Sequence, residues 1–314
     1  MYKKFFGLRE SPFNLNPDPR YLYLTRHIQE ALACLIYGIQ TRKGFVLLTG
    51  EVGTGKTTVL NKILDWSRQE QIATAFIFNP RLSEAEFFDF MLAEFGIPCD
   101  STLKSRALIN LNNWLLEQHR RGTRAVLIVD EAQNLSPDML EEIRLLTNLE
   151  TSTEKLLQIV LAGQPELEQK LTDPQLRQLR QRITLWAKTR PLTLLETHAY
   201  IKERLRVAGS AGEEIFSLPA IEIVHRHARG IPRLINLLCE HALISAFVEH
   251  SQTVSEKIVE EVARDFGLQK MDVASGLPSA NGGHPILVDD SLRDAVRPSP
   301  VSFTKGLVEK KGFP

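Results

Sequence analysis

The stretch Gly50-Glu51-Val52-Gly53-Thr54-Gly55-Lys56-Thr57-Thr58 constrains this chain more than any other. It fits G-x-x-x-x-G-K-[ST], the loop whose backbone amides cradle phosphates. The apolar run Phe45-Val46-Leu47-Leu48 precedes it, and a helix is predicted from Lys56 to about Ser67. Strand, glycine loop and helix are the context the motif needs. The glycines let N–H groups converge on one point, and the helix N-terminus adds partial positive charge. Gly50 to Thr58 is therefore the expected cradle for a nucleoside triphosphate with magnesium. Lys56 is expected to reach the β- and γ-phosphates and the Thr57 hydroxyl to take one magnesium position. Thr58, the last residue of the segment, reads as serving the helix.

The elements around this loop alternate. A helix is predicted at about 26–41, and strands at 45–49, 73–78, 125–129, 156–161 and 183–189. Helices are predicted between the strands, at about 84–95, 104–120, from Ser136-Pro137 onward, and as short pieces over 165–180. Ser83 and Glu86 fit a capping box. Short, apolar, β-branched strands separated by helices predict a mainly parallel sheet covered on both faces. After Thr193, which with Glu196 fits a second capping box, the pattern is helical only, at about 195–207, 218–229, 232–249 and 255–266. The expected plan is an irregular segment 1–24 packing on the core, an α/β domain 25–192, a helical domain 193–267 and a disordered polar tail 268–314.

Bulk composition adds exclusions. Lys+Arg and Asp+Glu both total 38, so any basic surface must be local. Cys34, Cys99 and Cys239 form no C-x-x-C pair, which suggests buried thiols in a reducing compartment. No segment has the unbroken apolar length of a membrane span, and Arg9, Glu10 and Asn14 interrupt any leader peptide. A cytoplasmic location is expected.

Four further features carry chemistry. Val126-Leu127-Ile128-Val129-Asp130-Glu131 is an apolar strand ending in two carboxylates. A buried strand placed beside the phosphate loop delivers Asp130 to magnesium, and Glu131 can orient the attacking water. Gln164 follows the next apolar strand, where a polar side chain can touch the γ-phosphate or the water; a helix-capping turn before Pro165 is the other reading. Arg177, Arg180, Arg182, Lys188 and Arg190 form a basic run without acidic residues. Arg182, ahead of Arg180, is read as a finger reaching a neighbouring subunit's nucleotide, against a solvated helix end or a nucleic-acid face. Gly230-Ile231-Pro232-Arg233 opens a helix with an arginine in its first turn, against the helix dipole. A triphosphate held between the two domains would reward Arg233. The spacing of His225, His227 and His241 does not fit a metal site.

Together these features resemble an AAA+ ATPase: an α/β P-loop NTPase with a parallel five-stranded sheet and a small all-helical lid. Phe6-Gly7-Leu8, Pro12-Phe13, Pro17-Asp18-Pro19, Tyr21-Leu22-Tyr23-Leu24, Asp130-Glu131-Ala132-Gln133, Ala162-Gly163-Gln164-Pro165-Glu166-Leu167 and Gly230-Ile231-Pro232-Arg233-Leu234-Ile235-Asn236 narrow it. They resemble the ExeA/GspA-type ATPases of general secretion and relatives at exosortase and exopolysaccharide loci. The resemblance implies ATP with Mg2+, adenine near Tyr21–His27, and homo-oligomeric rings or filaments with nucleotide at subunit boundaries. It also implies a protein partner in secretion or export, and kinship with transposition ATPases of the TnsC/TniB type, which bind DNA. Secretion ATPases of this type usually continue into a membrane span and a peptidoglycan-binding domain. Here a short polar tail follows, so the expectation is a cytoplasmic ATPase that remodels or assembles a partner.

Overall fold

A computed structural model describes residues 1–268 apart from Asn79, residues 99–102, Ala211 and Glu213. The tail expected to be disordered lies outside the described residues, except Leu268, which is buried. The strands are β1 (Phe45–Thr49), β2 (Ala73–Ile77), β3 (Ala125–Val129), β4 (Leu157–Gly163) and β5 (Ile183–Lys188). They form a parallel sheet in the order β2-β3-β4-β1-β5. Their carboxyl ends are in register, with Thr49 opposite Gly163 and Val129 opposite Leu161. The phosphate loop after β1, Asp130 after β3 and Gln164 after β4 therefore emerge at one edge, where parallel sheets place their ligands.

Helices α1 (Tyr2–Phe5), α2 (Arg26–Gln40), α3 (Lys56–Gln69), α4 (Glu84–Glu94), α5 (Lys104–Arg120), α6 (Pro137–Leu146), α7 (Pro165–Lys170) and α8 (Arg177–Arg182) precede the last strand. Side chains alternate across the sheet with the period of two that strands impose. Leu47, Leu127, Val129, Ile159 and Leu161 share one core with Phe87, Leu111 and Leu140 of α4, α5 and α6. Val46, Leu48, Ile128, Val160 and Ala162 share the other with Leu35 of α2 and Leu60 of α3. β1, β3 and β4 are buried throughout, which is why their sequences are unbroken apolar runs.

Helices α9 (Leu194–Val207), α10 (Leu218–Ala228), α11 (Pro232–Val248) and α12 (Glu256–Asp265) form the lid around their own core, including Ile201, Val224, Leu238, Leu243 and Val259. Both capping boxes are formed, at Ser83 with Glu86 and at Thr193 with Glu196.

The N-terminal segment departs from expectation. Its aromatic residues do not pack on the sheet. Phe6, Leu8 and Phe13 are buried in the helical core, and the Tyr2 hydroxyl donates to Glu240 at 2.6 Å. Only its later part meets the α/β layer, through Leu22 against that core and Asn61 donating to the Pro17 carbonyl at 3.3 Å.

Candidate nucleotide site

The site begins with the loop's own backbone. Gly53 and Gly55 sit at φ +80° and +98°, which side chains with a Cβ rarely adopt. Gly55 caps α3, so that helix points its N-terminus into the loop. The Thr54 hydroxyl bonds the Glu51 carbonyl at 2.7 Å and pairs with the Thr189 hydroxyl at 2.7 Å, which pins the loop to the end of β5. Lys56 is buried and donates to the Gly50 and Glu51 carbonyls at 2.7 and 3.1 Å. Burial holds its ammonium below the ordinary lysine value, opposed by the nearby Glu131, Asp130 and Glu51 carboxylates.

Thr57 meets Asp130 directly: its hydroxyl donates to Oδ2 at 2.9 Å. Asp130 is buried, and its carboxyl sits above the usual carboxylate range because of that burial. The Glu131 N–H at 2.9 Å and the Thr57 hydroxyl offset part of the cost. A hydroxyl and a carboxylate brought together in this way form a hard oxygen donor set that suits magnesium. Glu131 itself lies at φ +52°, an unfavourable backbone conformation for a residue with a side chain. Such strain costs about 1–2 kcal/mol and is concentrated at functional sites.

The Glu131 carboxylate is held by two amides. Gln133 donates to Oε2 at 2.5 Å and Gln164 to the same oxygen at 3.2 Å. The Gln133 side-chain Oε1 in turn accepts from the Gln164 backbone N–H at 3.1 Å. Gln164 thus sits beside Glu131, as a polar group after β4 should, and it also occupies the N-cap of α7 without a side-chain cap bond. Lys170 ties down the loop after β3 through the Gln133 and Leu135 carbonyls at 2.6 and 2.7 Å.

The lid closes the other side. The Arg233 N–H donates to the Gly53 carbonyl at 3.2 Å, so the start of α11 rests on the phosphate loop. A Cβ at Gly53 would meet the Arg233 Cβ at 2.8 Å. One cleft runs from Val52–Thr58 past Glu131, Arg190 and Arg233 to Tyr21, Tyr23, Ile28, Arg204 and Asn236. Gly50 and Glu51, also expected in the cradle, do not line the cleft, whereas Thr58 does, although it lies inside α3.

The basic run splits up in three dimensions. Arg182 turns onto the C-terminal end of α6, donating to Thr147 Oγ1 at 2.6 Å and Asn148 Oδ1 at 2.8 Å. Lys188 pairs with Glu168 at 2.7 Å. Arg190 lines the nucleotide cleft. Arg177 and Arg180 are exposed, on a different part of the surface from the cleft lining. The run is not one continuous face, because helix, strand and loop each aim their residues differently. Sequence reasoning assigned no role to Gln133, Arg190, Asn236 or Arg204. Gln133, Arg190 and Asn236 each fall in a segment singled out in the sequence, whereas Arg204 falls in none.

The three histidines contact other protein groups. His225 bonds Thr197 at 2.9 Å, His227 meets Glu260 at 3.0 Å, and His241 meets Phe266 edge-on with ring centroids 4.7 Å apart. Among the described residues no group of three or more His, Cys, Asp or Glu side chains could hold a metal ion. No described helix is long and apolar enough to cross a membrane.

A family profile described as an AAA domain matches residues 39–171. The General secretion pathway protein A of Aeromonas hydrophila is 49% identical over 255 residues, 81% of this chain and 46% of that protein. The chain belongs to the ExeA/GspA-like AAA+ ATPases. It spans less than half the length of this curated relative. Among solved structures it is similar to the Aeropyrum pernix ORC2 protein in its ADPNP–ADP complexes, with a TM-score of 0.62 at 15% identity over 82% of this chain and 71% of that one. Cdc6p from Pyrobaculum aerophilum gives 0.61 at 17% over 84% and 70%, and Drosophila ORC bound to DNA gives 0.56 at 19% over 85% and 70%. At such identities the likeness shows the AAA+ fold: a parallel sheet with a helical lid.

Proposed function

We propose that this AAA+ protein binds and hydrolyses ATP with magnesium, and uses the difference between its ATP and ADP states to assemble or remodel a partner in secretion or envelope polysaccharide export. The observation that carries the reading is the meeting of Thr57 with Asp130 at 2.9 Å beside a buried Lys56. Loop amides and Lys56 bind the β- and γ-phosphates. Thr57 and Asp130 would hold magnesium, which when bound neutralises charge on the transferring phosphoryl group. Glu131, steadied by Gln133 and Gln164, orients water for in-line attack. Arg233 reports nucleotide state to the lid. A neighbouring subunit supplies the remaining arginine in a ring or filament. Arg180, which is exposed, suits that role better than Arg182, whose guanidinium is engaged on α6.

Lys56→Ala should abolish ATP binding, and Glu131→Gln should bind ATP without turning it over. Ordinary steady-state hydrolysis by Glu131→Gln would remove Glu131 from the mechanism. The secretion partner is proposed from the 49% identical Aeromonas protein.

A second reading, an ATP-dependent DNA-binding regulator, draws on the exposed Arg177 and Arg180 and on the fold shared with DNA-bound Drosophila ORC. Salt-dependent retention on duplex DNA in the presence of ATP would favour it. No retention at low salt would count against it.

A further inference from the structure

Arg204 on α9 is a cation in an unusual position. It is 6% exposed, and among the described residues no carboxylate forms an ion pair with it. A guanidinium removed from water is costly unless its N–H groups find other acceptors. Arg204 finds them in the N-terminal segment. Nε donates to the Pro12 carbonyl at 2.5 Å, and a terminal nitrogen donates to the Asn14 carbonyl at 3.3 Å. Its plane lies 4.5 Å from the Tyr21 ring centroid, where the ring face favours a cation. The other terminal nitrogen donates to the Tyr200 hydroxyl at 2.7 Å, and that hydroxyl donates to Asn236 at 2.9 Å. Asn236 lies one turn beyond Arg233, whose N–H rests on the phosphate loop.

Of these groups, Tyr21, Tyr200, Arg204, Arg233 and Asn236 border one cleft. Its phosphate end is fixed by the glycine loop, so the opposite end, walled by residues 15–23, faces the nucleoside. We propose that Arg204 is a positioning residue that holds the N-terminal segment as the nucleoside-side wall and, through Tyr200 and Asn236, ties that wall to the lid helix resting on the phosphate loop. This rests on the ATP reading above. Arg204 binds no phosphate. It sets the shape of the surface against which the base and ribose lie. Lysine cannot replace it, because a single ammonium cannot reach two carbonyls and a hydroxyl while stacking on Tyr21.

The test compares two ligands, Mg-ATP and inorganic tripolyphosphate with magnesium, by calorimetric titration of wild type, Arg204→Lys and Tyr200→Phe. Tripolyphosphate occupies the loop without touching the nucleoside wall. Arg204→Lys should weaken ATP binding about tenfold, the worth of one lost charge-assisted bond, and leave tripolyphosphate affinity within about twofold. Tyr200→Phe removes one hydroxyl with almost no change of volume and should show the same split at smaller size. It decides the matter if the lysine variant does not fold. Equal loss for both ligands, or unchanged ATP affinity in Tyr200→Phe and a folded Arg204→Lys, would overturn the role. Wild-type protein that binds neither ligand would overturn the ATP reading itself, and this role with it.

Discussion

Gln133 donates its side-chain amide to Glu131 Oε2 at 2.5 Å, from two residues downstream in the same loop. The role proposed for Glu131, orienting water, would need the carboxylate's direction fixed, and both Gln133 and Gln164 bond it. Gln133→Ala should lower kcat about tenfold with little change in the KM for ATP, because the amide bonds Glu131 and Gln133 does not line the cleft. Steady-state kinetics checks this. A rise in KM with unchanged kcat would assign Gln133 to binding.

Arg180 and Arg182 should separate by assay. Arg182→Ala removes bonds to Thr147 and Asn148 at the end of α6, and should cost about 1–2 kcal/mol of stability, seen as a lower Tm. Arg180→Ala should leave Tm unchanged. If an arginine completes a neighbour's site, wild-type specific ATPase activity should rise with protein concentration, and Arg180→Ala should abolish that rise, a loss of about a thousandfold.

Gly53→Ala introduces a Cβ 2.8 Å from the Arg233 Cβ at a backbone φ of +80°. Strain and clash act in the same direction. The variant should lose about 1–3 kcal/mol and weaken ATP binding, because the loop and the start of α11 cannot both keep their places. Thermal melting with and without ATP measures both effects.

His225 should give the lid a pH dependence. Burial against Thr197 lowers its pKa from 6.5. Below that ordinary value the unfolded chain takes up a proton that the folded lid resists. Stability should therefore fall as pH drops from 6.5 through the lowered folded value. Between about pH 7.5 and about pH 5.5, wild type should lose more Tm than His225→Asn, which lacks that proton site. Equal losses would show that His225 is not responsible.

Much of the molecule is legible in its residues. Buried parallel strands must be apolar throughout, so β1, β3 and β4 are readable as runs. A phosphate loop needs glycines at positive φ and a lysine at a set spacing, so Gly50 to Thr57 is readable as a motif. Capping boxes are local, so Ser83 with Glu86 and Thr193 with Glu196 are readable from a spacing of three. After Thr193 the helical segments follow without a strand, so a separate helical domain carrying Arg233 is readable as well.

What lay beyond reading is contact between residues far apart in sequence. Arg182 and Arg180 are two positions apart in one basic run, yet Arg182 is drawn onto α6 and Arg180 is left at the surface. The aromatic N-terminal residues could have covered either domain, and composition does not distinguish two apolar surfaces. Arg204 carries no motif, because its acceptors are backbone carbonyls 192 and 190 residues away. The sequence by itself determined the cradle, the sheet and the carboxylates that face it, since each rests on local geometry. Only the tertiary structure decided what walls the rest of the cleft, since that depends on which buried polar groups must find partners once the chain is packed.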